Sequence, residues 1–128
     1  MPRLGLVLLT VSLLAASLVA VISAATASSY DSGLRGLVTL SPTRPVCIEG
    51  QPCSKPAAHV LLVFRRNGAV VAEVTTGAKG WYRVLLRPGI YTVAAPRYVR
   101  GSGVTPRTVR VTKGRVARID LEIDTGIQ

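Results

Sequence analysis

Few side chains in this chain could carry covalent or metal chemistry: one histidine, two cysteines and six acids, among 128 residues with sixteen Lys and Arg. His59 would have to serve any Ser-His-Asp arrangement, and no G-x-S-x-G elbow accompanies it. Cys47, Cys53 and His59 are spaced C-x5-C-x5-H, which is not a zinc-finger spacing, and a fourth ligand is not evident. A redox-active pair would want C-x-x-C. The two cysteines instead enclose Ile48-Glu49-Gly50-Gln51-Pro52 and read as a disulfide, Cys47–Cys53, an even count suited to an exported chain. Closing so short a loop is worth roughly 2–3 kcal/mol in the chain-entropy account. Asp120, Glu122 and Asp124 fall on one face of a strand pattern, the arrangement of a solvated surface, and the loops are too acid-poor for a calcium site. No phosphate-binding glycine loop is present. The expectation is therefore no catalytic residues, no metal and no cofactor.

What remains is a basic and aromatic grouping. Trp81, Arg83 and Arg87 share one side of a strand pattern, and Arg97, Tyr98 and Arg100 follow in a loop. Aromatic rings beside guanidinium groups stack sugars or bases and hold anions. The plainer alternative is a solvated sheet face carrying one exposed Trp.

The element that must position these groups is Gly80 to Val93, GWYRVLLRPGIYTV. Tyr82, Val84 and Leu86 alternate with Trp81, Arg83, Leu85 and Arg87, the period of a half-buried strand. Pro88-Gly89 then breaks the run, Pro presetting φ and Gly accepting a positive φ. The predicted arrangement is a hairpin with a loop over Arg87 to Ile90. It would set Leu86 opposite Tyr91, Val84 opposite Val93 and Tyr82 opposite Ala95, all pointing inward.

Gly80, Tyr82, Val84, Leu86, Pro88, Gly89, Tyr91 and Val93 together resemble the motif of the carboxypeptidase regulatory-like family. The resemblance extends more loosely from Gly33 to Ile123, and it includes small bacterial secreted proteins with a Cys-containing loop after the first strand. It implies an all-β fold: a single seven-stranded Greek-key β-sandwich, transthyretin-like, acting as an accessory module without chemistry of its own. The hydroxyisourate hydrolases are similar in architecture alone. They rely on several histidines and a Tyr-Arg-Gly-Ser tail, whereas this chain has one histidine and ends Thr125-Gly126-Ile127-Gln128.

The other strands are read from the same period. Gly33 to Leu40 places Leu34, Gly36, Val38 and Leu40 on one face, and Gly36 marks a bulge or a close backbone approach. Ser41 to Ala57, with four prolines, reads as a long connection. Ala58 to Arg66 is a strand with a continuous apolar run, turned by Asn67-Gly68 into Ala69 to Thr76. A tight turn would put Leu61 opposite Val74 and Val63 opposite Ala72. The family pattern would instead turn Val60, Leu62 and Phe64 to the core. Pro96 to Pro106 is a basic, glycine-containing loop. Arg107 to Thr112 and Arg115 to Asp124 are the last strands, and the acids of the latter are expected to meet arginines of a neighbouring strand at about 0–1 kcal/mol per pair.

Ahead of this domain (33–128), residues Leu4 to Ala27 carry no charge, Arg3 precedes them, and Ala25-Thr26-Ala27 is an A-x-A-like site. The expected organisation is a signal helix over residues 1–27, cleaved after Ala27, and a linker over 28–32. The alternative is a membrane anchor over residues 4–27. The location is secreted or extracytoplasmic in the first case and the cytoplasmic membrane in the second. The formal net charge is +10, carried by thirteen Arg and three Lys. A basic balance attracts polyanions, although it also serves solubility. Two functions follow. One is a non-catalytic secreted or cell-envelope accessory module that meets an envelope protein or polysaccharide. The other is a polyanion binder for acidic polysaccharide, lipid headgroups or nucleic acid, working through the arginine-aromatic face. An enzyme is the disfavoured third.

Overall fold

A computed structural model describes residues 31–127. The expected signal segment and most of the expected linker lie outside the described residues. Within them the chain is all-β, with no helix: β1 (Gly33–Ser41), β2 (Lys55–Pro56), β3 (Leu61–Arg66), β4 (Ala69–Thr75), β5 (Trp81–Leu85), β6 (Gly89–Ala94), β7 (Val104–Thr105), β8 (Thr108–Val111), β9 (Val116–Arg118) and β10 (Leu121–Asp124). They form two sheets that pack like a sandwich.

The first sheet is organised around β1. Antiparallel β5 and β2 line one edge of it, while β9 and β10 run parallel along the other. β7 pairs with β10 beyond them. The second sheet has the order β4-β3-β6-β8, antiparallel throughout.

Leu34, Val38 and Leu40 of β1, Tyr82, Val84 and Leu86 along β5, and Tyr91 and Val93 of β6 are all buried, as the alternating pattern predicts. They meet Leu62 and Phe64 of β3, Val109 and Val111 of β8, and Leu121 and Ile123 of β10 in one core. Burying each large apolar side chain is worth about 1.5–3 kcal/mol before chain entropy is counted.

Expectations about pairing and about strand bounds are corrected. The Gly80 to Val93 stretch is not a hairpin. β5 pairs with β1 in the first sheet, and β6 pairs with β3 and β8 in the second. Pro88-Gly89 carries the chain from one sheet to the other, so Leu86 and Tyr91 are both buried in the core but are not ladder partners. A hydrogen bond from the Tyr91 hydroxyl to the Arg87 carbonyl, 2.5 Å, closes that crossover.

The β3–β4 hairpin does form at Asn67-Gly68, with both residues at positive φ (52° and 78°) as a type I′ turn requires. Its register, however, sets Leu62 opposite Val74 and Phe64 opposite Ala72. Arg65 pairs with Val70, so Val71 is an extra residue in β4, and this bulge shifts the ladder by one. The apolar face of β3 is therefore the one that turns Val60, Leu62 and Phe64 inward. β3 also starts later than expected, at Leu61, because His59 adopts φ 54° and breaks the extended run. Buried Thr76 satisfies the backbone there: its Oγ1 accepts from Val60 N at 2.9 Å and donates to the Ala57 carbonyl.

The last strand is divided. β9 and β10 are separated at Ile119-Asp120, and this irregularity faces Gly36, as a glycine in a strand leads one to expect. A Cβ on residue 36 would lie 2.2 Å from the Ile119 carbonyl oxygen. The long connection 41–57 includes the two-residue edge strand β2, whose Pro56 is tolerated because the edge needs no second ladder partner. Ser32, at the end of the expected linker, is buried and exchanges two hydrogen bonds with Leu86.

Candidate functional site

The outward side chains of β5 meet those of β1 and β9 through the backbone ladders. Arg35 pairs with Arg83 on one side and with Arg118 on the other, so three guanidinium-bearing residues form a row across three strands. With strands about 4.8 Å apart, the outer two lie about 10 Å from each other at the backbone. In the next row Trp81 stands opposite Leu37. Arg35, Trp81, Arg83 and Arg118 are all exposed, with Trp81 at 48%.

Three arginines in a row repel one another. Asp120 offsets this from the break between β9 and β10. Arg118 meets Asp120 through Nε–Oδ1 at 3.2 Å and a second bond at 3.3 Å. The arginine that Asp120 bonds is thus two residues before it in the chain and not on a neighbouring strand. Arg118 also lies 5.2 Å from the Trp81 ring centroid, within cation–π range. The Leu37 amide donates to Asp120 Oδ1 at 2.9 Å. That bond, then the Arg118 side chain, holds the Asp120 carboxyl below its ordinary value. Beneath this row the Tyr82 hydroxyl donates to the Ile119 carbonyl at 2.6 Å. Burial, followed by the charge of Asp120, raises the Tyr82 phenol.

The six expected binding residues therefore do not form one surface. Trp81 and Arg83 stand on the outer face of the first sheet. Arg87 lies past the end of β5, at a cleft of about 330 Å³ near the crossover that Arg66 and Tyr91 also line. Arg66 there sits 5.9 Å from the Tyr91 ring centroid. Tyr98 is half-buried in the 96–103 loop, with Arg97 at 6.0 Å from its ring. Arg100 is exposed, and its backbone packs on Gly126. Arg35 and Arg118, which complete the row, escaped the sequence reading. Their signal lies in the strand pairing, which joins residues distant in the chain.

The 96–103 loop is fastened to the end of β10. Asp124 accepts from Ser102 N and Gly126 N, both at 2.9 Å, and its own amide donates to the Gly103 carbonyl at 3.0 Å. Those amides, Ser102 first, hold the Asp124 carboxyl below its ordinary value. Gly101 fits against Asp124 so closely that a Cβ there would lie 2.3 Å from the Asp124 carbonyl oxygen.

Cys47 and Cys53 form a disulfide with Cα atoms 5.5 Å apart. His59 is exposed at a turn, its amide donating to the Gly77 carbonyl at 3.3 Å. No three His, Cys, Asp or Glu side chains cluster as metal ligands among the described residues.

No family model matches the chain, and no characterised protein matches it in sequence. Among solved structures it is similar to a DUF3823 family protein from Bacteroides ovatus ATCC 8483, with a TM-score of 0.38 and 14% identity. That likeness covers 70% of this chain, and this chain spans 44% of the other.

Proposed function

We propose that this chain is a non-catalytic secreted or cell-envelope accessory module, a transthyretin-like sandwich of the carboxypeptidase regulatory-like kind. Its work is to hold an anionic polymer on the outer face of its first sheet. The observation that carries this reading is the Arg83–Arg35–Arg118 row beside Trp81 and Leu37. A repulsive row of this kind adds nothing to the stability of a sheet, whereas opposite it an acidic chain finds several cations at regular spacing. Trp81 offers a flat surface on which a sugar ring can stack. An acidic polysaccharide suits both features, and the net charge of +10 draws it in at long range.

Retention on an immobilised acidic polysaccharide, followed as salt is raised, tests the proposal. The protein should elute later than a neutral sandwich of equal size. Replacing Arg35 and Arg83 by Ala should flatten the log-retention against log-salt slope by about one to two counterions. Retention equal to that of the neutral sandwich at low salt rejects the polymer. An unchanged slope in the double variant rejects the face.

A further inference from the structure

A second basic site lies against the other sheet. The 96–103 loop folds over the end of β6 and leaves a cavity of about 420 Å³, within the size range of small-molecule sites. Arg65 of β3 and Arg107, which precedes β8, both line it, together with Thr92, Tyr98 and the backbone of Gly101 to Gly103. Arg65 is the cross-strand neighbour of Thr92, and the Arg107 carbonyl accepts from Val93 N at 2.9 Å. The two arginines thus flank β6 from opposite sides, about 10 Å apart at the backbone by strand spacing.

No acid lines this cavity. Neither Arg65 nor Arg107 makes an ion pair among the described residues. Asp124, at the end of β10, supports the loop with its oxygens engaged by Ser102 N and Gly126 N. Arg97 adds a further positive charge beside the Tyr98 ring. Val99 lines the cavity while remaining 80% exposed. The lining therefore offers two cations, the hydroxyl-bearing Thr92 and Ser102, a half-buried phenol and an apolar lip, with no acid among them.

We propose that this cavity is a binding site for one compact oxyanion-bearing ligand, a carboxylate or phosphate on a body the size of a single sugar. Arg65 and Arg107 clasp the oxyanion through charge-assisted bonds, Thr92 supplies a hydroxyl partner, and the Tyr98 ring packs against the ligand's apolar face. This differs from the polymer face in position and in kind. That face is flat and open, takes a chain, and lies on the first sheet. The cavity takes a single unit. Failure of either reading leaves the other standing, because they share no residue.

The experiment is an NMR titration of the purified protein with four probes: glucuronate, glucose 6-phosphate, inorganic phosphate and neutral glucose. Saturable shifts at Thr92, Tyr98 and Ser102 are expected from at least one anionic probe, with a Kd below about 10 mM. Arg65→Ala and Arg107→Ala should each weaken that binding about tenfold or more, while Arg35→Ala leaves it unchanged. Glucuronate alone saturating assigns a carboxylate. Both phosphate probes saturating equally assigns the free oxyanion, and preference for the sugar phosphate assigns the whole unit. Each of these upholds the site. Glucose matching the anions, anion shifts confined to the Trp81 face, or no saturation by any anion overturns it. So does binding that survives both arginine substitutions.

Discussion

The two arginine groupings are held in place by different means. On the first sheet, Arg83, Arg35 and Arg118 are placed by ladder register, and the backbone that carries them also closes the core. At the cavity, Arg65 sits on an equally firm strand, but the wall opposite is a loop tied down largely through one residue, Asp124. A surface set by register is lost only when the sheet is lost. A cavity set by a tethered loop can be lost alone, which makes it the better place for a ligand to alter order.

Substitutions can break that contrast. Gly36→Ala brings a methyl group to 2.2 Å from the Ile119 carbonyl oxygen in the middle of the first sheet. It should cost about 3–5 kcal/mol in denaturant unfolding and weaken polymer retention as Arg118 shifts. Loss of retention without loss of stability would show that the row is not fixed by the sheet.

Replacing Cys47 and Cys53 by Ser touches neither region. It should lower stability by about 2–3 kcal/mol, seen as a lower Tm, while both binding activities persist. An unchanged Tm under reducing conditions would mean that the disulfide contributes no stability.

Gly101→Ala meets the Asp124 carbonyl nearly as closely, at 2.3 Å, but in a tethered loop outside the strand ladders. A cost of about 1–2 kcal/mol is expected, with anion binding in the cavity abolished and polymer retention intact. A cost equal to that of Gly36→Ala would erase the distinction between sheet and loop.

The smallest effect is one of pH. The folded Asp124 carboxyl lies below its ordinary 3.8, so the unfolded chain takes up protons first as pH falls. Its stabilisation is present above about pH 4 and disappears as pH drops through the folded value. Asp124→Asn should flatten the acid side of the stability curve and weaken cavity binding at neutral pH. The Asp120 carboxyl follows the same sign on the sheet face, so acid loss should persist in part. An acid limb identical to wild type would show that the tether does not depend on charge.

Much of this was legible along the chain. Leu34, Val38, Leu40, Tyr82, Val84 and Leu86 are inward because alternation is a property of each strand alone, independent of its partner. Gly36 announced the close approach of Ile119. Partnership was harder. Asn67-Gly68 and Pro88-Gly89 both read as reversals, and only the first joins ladder neighbours, since a turn signal fixes local direction and not which sheet comes next. The arginine row was half visible for that reason: Trp81 and Arg83 share a strand, while Arg35 and Arg118 join them only through pairing. The cavity was further from view, because Arg65 and Arg107 become neighbours of one site only after the 96–103 loop has folded over β6.

The position of β1 between β5 and β9–β10 has a consequence in time. Leu37 and its partner Asp120 are 83 residues apart. At a synthesis rate of about 5–20 residues per second, roughly 4–17 s separate them on the ribosome. Through that interval one edge of β1 stays open, while the β3–β4 hairpin already has both of its strands. The ladder that carries the arginine row can therefore be completed only once the final segment of the chain is present.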